Sequence, residues 1–183
     1  MTSFQSVEGW VNRFAQLRLA VRRYRNELPD RRPTEVESGI FVGGIPSRRR
    51  WDQMRACGVA RVICLLAECK PDVWVAHSAE TLWIPVSDGQ SPDVAQLREA
   101  CAFVEASKRA GSSVFIYCGS GMGRAPVTYL ASCVRNSARP PRAHLDRLRN
   151  LRPCVALTEA QLLGLQRWAQ LCGSGEMISR SGT

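Results

Sequence analysis

A chain of 183 residues, 45% apolar and 22% charged, has enough apolar material for one hydrophobic core, so a single domain needing no disulfide or metal is expected. The net charge of +9 is carried almost wholly by arginine, because Lys70 and Lys108 are the only lysines; guanidinium forks suit bidentate contact with phosphate-like anions, and a basic soluble surface accounts for any single arginine as well. No apolar run approaches the roughly 18 residues of a membrane span, no signal-peptide pattern opens the chain, and Cys64 and Cys69 have no matching Cys or His pair, which argues against membrane insertion, secretion and zinc.

The first element is an amphipathic helix over residues 8–28. Val11, Phe14, Leu17, Val21 and Tyr24 fall at helical spacing, with Arg18, Arg22 and Arg25 opposite. Packing on the domain is its expected role, ahead of a membrane surface or a partner. Pro29 to Pro33 end it, and a linker carries the chain to residue 37. The domain proper then spans 38–172, followed by a flexible tail at 173–183.

Within the domain, apolar β-rich runs at Ile40–Val42, Ala60–Leu66, Leu82–Val86 and Val114–Tyr117 alternate with helical stretches near Ser47–Cys57 and at Pro92–Arg109. Ser91 is placed to cap the second of these, with Pro92 in its first turn. After Tyr117 the pattern is wholly helical: Arg124–Arg135, Arg142–Leu151 and Thr158–Leu171. This order predicts an α/β fold with a central, mixed but mostly parallel sheet covered by helices on both faces. Without a disulfide framework, most of the eight cysteines are expected as small buried residues in a reducing, cytoplasmic setting. No cofactor, metal or nucleic-acid partner is expected.

The stretch VFIYCGSGMGRAPVTYLASCV, residues 114–134, carries the chemistry. An apolar strand runs into Cys118, then into Gly119, Ser120, Gly121, Met122 and Gly123, then into Arg124 and a helix. The small residues let the backbone curl so that several N–H groups converge, and the helix adds its positive end. Such a cup fits a tetrahedral dianion. The same dipoles favour the thiolate of a cysteine lying at its base, which makes Cys118 the candidate nucleophile. Arg124 can hold two phosphoryl oxygens and offset charge during transfer, a bidentate task that lysine cannot perform. Read alone, a cysteine ahead of a glycine-rich turn is a small buried residue; strand, glycines and helix together point to catalysis.

CGSGMGR resembles the C-x5-R signature of the cysteine-based protein tyrosine and dual-specificity phosphatases. The resemblance extends over about residues 38–171, including IFVGGIPSRRRWDQMRACGVARVICLL at the start and LRNLRPCVALTEAQLLGLQRW at the end. It implies hydrolysis of phosphomonoesters through a phosphocysteine, on protein with tyrosine or dual specificity, with a mobile upstream loop supplying an aspartate as general acid. IPVSDGQSPD resembles that loop. Asp88, 30 residues before Cys118 and followed by Gly89, matches the Asp-Gly form, while Asp93 competes for the role and is also explained as a charge at a helix start. By the same resemblance Gln161 falls at a water-positioning glutamine, and a surface helix position explains it equally well.

Two positions depart from the family. Tyr117 stands where most members have histidine, and Ala125 where they have a serine or threonine whose hydroxyl helps the sulfur leave. Tyr117 is expected to alter the orientation of Cys118, and Ala125 to slow breakdown of the phosphocysteine. GRAP, residues 123–126, is similar to plant glucan phosphatases, which lack that hydroxyl, and the uncharged loop lacks the lysines and histidines of some phosphoinositide phosphatases. The alternatives are therefore a phosphoglucan or phosphoinositide substrate, a weakly active phosphate-binding pseudophosphatase, and another C-x5-R enzyme such as a rhodanese or arsenate reductase.

Overall fold

The computed structural model describes residues 32–174. The expected helix at 8–28 and all but the first two residues of the tail lie outside them. In chain order the elements are β1 (Thr34–Glu37), β2 (Ile40–Gly44), α1 (Arg48–Ala56), β3 (Val59–Leu66), α2 (Val73–Ala76), β4 (Glu80–Val86), α3 (Val94–Arg109), β5 (Ser113–Cys118), α4 (Arg124–Arg135), α5 (Pro141–Leu151) and α6 (Glu159–Gly173).

Five strands form one sheet in the order β1-β2-β5-β3-β4. β2, β5, β3 and β4 run parallel, and β1 returns antiparallel beside β2 across a tight turn at Gly39. β5 lies in the middle and is buried along almost its whole length, which is why its residues are apolar without alternation. Gly44 pairs with Cys118 and Gly43 with Tyr117, so the strand ends that carry the chemistry finish at the same edge of the sheet. In parallel sheets that edge is where ligands bind.

Side chains alternate between two apolar layers. On one face Ile63, Leu65, Ile84, Val114, Ile116 and Cys118 pack against α3, α4, α5 and α6. On the other, Val59, Val62, Cys64, Phe115 and Tyr117 pack against Trp51 and Met54 of α1 and Val75 of α2. The expected α/β architecture with both faces covered is the one observed.

Three expectations change. Residues 34–37 form an edge strand instead of the expected linker, because TEVE buries only Val36 and derives its order from β2 rather than from an apolar run of its own. Helix α3 begins at Val94, not at Pro92, and its cap is Asp93, not Ser91. The Asp93 carboxylate accepts from Gln96 N at 2.8 Å while Gln96 Oε1 accepts from Asp93 N at 2.9 Å, a reciprocal pair that Ser91, with its hydroxyl on Pro92 O, does not offer. Finally, only Cys64, Cys101 and Cys118 are buried, whereas Cys57 and Cys69 are exposed and the other three half-buried; none is in a disulfide. Among the described residues no helix is long and apolar enough to cross a membrane.

Candidate active site

β5 delivers Cys118 to the sheet edge, and the next five residues turn the chain into α4. Helix α4 has Gly123 as its N-cap and no side-chain cap, so its first N–H groups remain for an anion. The loop is held open by its carbonyls. Gly119 O accepts from Ile45 N at 3.3 Å, Ser120 O from Arg152 Nη2 at 3.3 Å, Gly121 O from Arg152 Nε at 2.9 Å, and Met122 O from Ala156 N at 3.0 Å. With four successive carbonyls engaged from outside, the N–H groups are left to the cup. One of them, Gly121 N, donates to Cys118 Sγ at 3.3 Å. Gly121 adopts φ +71°, and a Cβ there would lie 2.3 Å from the carbonyl carbon of Gly43 and 2.7 Å from Arg152 Nη2. Glycine is thus required for conformation and for space.

Arg124, from the first turn of α4, is 4% exposed. Its Nη1 donates to Val86 O at 2.7 Å, Glu68 Oε2 at 2.9 Å and Leu65 O at 3.4 Å, which ties one end of the guanidinium to the ends of β3 and β4. Its Nε is buried with no partner among the described residues. Nη2 lies 3.4 Å from Asp88 Oδ1 and beside Gly119. The Nε–Nη2 edge is therefore the one with donors to spare, the arrangement that bidentate binding of a phosphoryl group needs. Burial opposes the charge of Arg124, but Glu68, with Cys118 and Asp88, more than offsets this and raises its pKa, so the guanidinium stays protonated. In return the Arg124 hydrogen bond holds the Glu68 carboxyl below the usual range.

Asp88 follows β4 with its side chain largely in solvent, and the salt-bridge contact to Arg124 places it at the mouth of the cup. Asp93 sits at the cap of α3 with its carboxylate occupied, so of the two it is Asp88 that the structure brings to Arg124. Gln161 is fully buried, which removes the surface reading. Its Oε1 accepts from Thr158 N at 3.0 Å and its Nε2 donates to Gln90 O at 3.1 Å, two residues beyond Asp88.

Tyr117 points away from the nucleophile. It lies on the opposite face of the sheet, stacked on Phe115 at 5.3 Å between centroids and paired with Cys64, and burial, then Cys64, raises its pKa. The side-chain alternation of a strand thus corrects the expectation that Tyr117 reorients Cys118 directly. Ala125 is fully buried in the layer that contains Cys118. Cys101 is a buried thiol in α3 whose pKa burial pushes up to about 12.

Two residues of the site were not anticipated. Arg152, 2% exposed, braces the phosphate loop and also donates to Arg32 O at 2.8 Å and Thr34 Oγ1 at 2.9 Å. Its only signal is its place in the Arg-Pro segment after α5. Glu68, which pairs with Arg124, is marked by nothing except its position just past the apolar run of β3.

The chain matches the family described as Swiss Army Knife protein, DSP-PTPase phosphatase domain, over residues 36–162. Dual specificity protein phosphatase 1 of Mus musculus is 30% identical over 106 residues, which are 57% of this chain and 28% of that protein; the chain thus spans under a third of such a relative. The phosphatidylglycerophosphate phosphatase PTPMT2 of Arabidopsis thaliana is 22% identical over 142 residues, 75% of this chain and 62% of that protein. Among solved structures, the active form of Tk-PTP has a TM-score of 0.69 at 24% identity, covering 76% of this chain and 97% of that one. PTPMT1 in complex with PI(5)P has a TM-score of 0.72 at 16% identity, covering 79% and 99%. These two share the fold. With the family match running from β1 into α6, across the loop that carries Cys118 and Arg124, the chain belongs to the dual-specificity phosphatase-like domains of the cysteine-based protein tyrosine phosphatase superfamily.

Proposed function

We propose that this domain hydrolyses phosphomonoesters on protein, phosphotyrosine foremost and phosphoserine or phosphothreonine as well, through a phosphocysteine. The observation that carries the reading is the buried, unpartnered Nε of Arg124 beside the cup in which Gly121 N holds Cys118 Sγ. In the first step the Cys118 thiolate attacks phosphorus, the P–O bond breaks, and the leaving oxygen takes its proton from the Asp88 carboxyl. The loop N–H groups and Arg124 stabilise the equatorial oxygens meanwhile. In the second step water attacks phosphorus, gives its proton to the Asp88 carboxylate, and the S–P bond breaks to return the thiolate and free phosphate. Gln161 adjoins Gly123 and Gln90, where an ordered water would approach. A reducing cytoplasm suits such a thiol.

A protein substrate is supported by the uncharged loop, since Gly119, Ser120, Gly121, Met122 and Gly123 add no cation to Arg124. A phosphorylated lipid is the second reading, favoured by the longer match to a relative named as a phosphatidylglycerophosphate phosphatase. The test is hydrolysis of p-nitrophenyl phosphate by wild type and Cys118→Ser, followed by phosphopeptides against phosphatidylglycerophosphate and phosphoinositides. Phosphopeptides are expected to be cleaved with kcat/KM at least about tenfold higher than the lipids. Activity surviving in Cys118→Ser sinks the mechanism, and a preference for the lipids transfers the assignment to them.

A further inference from the structure

The loop that carries Asp88 lies along one face of α6. Thr158, Gln161 and Gly164 are spaced three residues apart, which puts them on a common side at the start of the helix. Each meets a successive residue of the loop. Thr158 Oγ1 donates to Gly89 O at 2.6 Å, Gln161 Nε2 donates to Gln90 O at 3.1 Å, and a Cβ added to Gly164 would lie 2.1 Å from Ser91 Oγ and 2.5 Å from Ser91 Cβ. The same face reaches the phosphate loop, since a Cβ on Gly123 would stand 2.7 Å from Gln161 Oε1. These side chains are themselves fixed: Thr158 Oγ1 accepts from Gln161 N at 3.2 Å and Gln161 Oε1 from Thr158 N at 3.0 Å. That reciprocal cap leaves the Thr158 hydroxyl proton and the Gln161 amide protons pointing outward, and two of the three go to the acid loop.

We propose that Thr158, Gln161 and Gly164 form a latch that keeps the Asp88 loop seated on the phosphate loop, with Thr158 and Gln161 as positioning residues for protonation of the leaving group. The inference rests on reading Asp88 as the acid. The loop is then held by the scaffold, through carbonyls adjacent to the acid, rather than by closure on bound substrate. A helix cap alone would account for the Thr158–Gln161 pair, but not for the further bonds to Gly89 and Gln90 or for the missing Cβ opposite Ser91.

The test is the dependence of kcat/KM on leaving group, over aryl phosphates from p-nitrophenyl to phenyl phosphate. This parameter reports the first chemical step whatever the rate of phosphocysteine breakdown. Wild type should show a shallow dependence. Thr158→Val and Gly164→Ala should lose about tenfold or more on phenyl phosphate and under about threefold on p-nitrophenyl phosphate, a fraction of the 10²- to 10⁴-fold that a general acid supplies. Thr158→Ser should restore the wild-type slope, as should Ser91→Gly in the Gly164→Ala background. Equal loss across the series overturns the latch, and so does a wild-type slope in both variants. Asp88→Ala, measured alongside, should be steeper than either; a shallow slope there shows that the acid itself is misassigned, a failure distinct from that of the latch alone.

Discussion

Replacing Arg152 by methionine removes the fork that braces the phosphate loop and keeps most of the apolar stem. The bonds lost include the buried one to Gly121 O and the half-buried ones to Ser120 O, Arg32 O and Thr34 Oγ1. A bond from a charged donor contributes about 1.5–3 kcal/mol. Counting the buried bond in full and discounting the other three for regained water leaves a loss of about 3–5 kcal/mol, which a domain with about 5–15 kcal/mol in hand survives. At about 2–4 °C per kcal/mol the melting temperature should fall by roughly 10 °C. Function should suffer more than stability, because the Ser120 and Gly121 peptides would be free to turn a carbonyl toward a dianion. Loss of a single oxyanion donor costs about 10²–10³ in rate, and kcat/KM on p-nitrophenyl phosphate should fall by that order. Thermal melting and steady-state kinetics on the same preparation check both parts. A kcat/KM within threefold of wild type, in a protein whose melting temperature has dropped as expected, would show that the loop holds its own conformation and that Arg152 merely anchors β1.

Ala125→Ser should raise steady-state turnover by about tenfold and reduce the burst, with little change in substrate binding, by giving the departing sulfur a hydroxyl partner; an unchanged burst and steady rate would count against it. Glu68→Gln should cost no more than about 1 kcal/mol at neutral pH, since the carboxylate is half in solvent and screened. Because Arg124 lowers the folded pKa of Glu68, that contribution is present above the ordinary glutamate pKa of about 4.3 and disappears as pH falls through the lowered folded value. Denaturation of the two proteins at a series of pH values should show curves that diverge toward neutrality and merge in acid; a constant gap would assign the effect to packing. Tyr117→Phe should leave kcat/KM within about twofold and lower stability by about 1 kcal/mol, the worth of one hydrogen bond to Cys64; a large kinetic loss with a normal melt would restore a role next to the nucleophile.

Much of this molecule was legible in one dimension because its signals are local. Cys118, five mostly small residues, Arg124 and the helix behind it follow one another along the chain, so the pattern can be recognised without reference to any distant partner. The parallel strands, three of them largely buried, declare themselves as apolar runs for the same reason. What the tertiary structure decided is which groups pair, some of them close in sequence and others far apart. β1 is a strand only because β2 accepts it, and α3 starts at Val94 because Asp93 and Gln96 close the cap. Tyr117 is removed from the chemistry by the pleat that brings Cys118 into it. Arg152 reaches Ser120 and Gly121 from more than thirty residues away, and Glu68 meets Arg124 from the end of another strand. Composition and periodicity carry no record of such pairings, because a charged side chain that will be buried by its partner looks, in sequence, like one that faces water. The residues around Cys118 could therefore be named from the chain alone, whereas the groups that hold the loop open and keep Asp88 beside it came from packing.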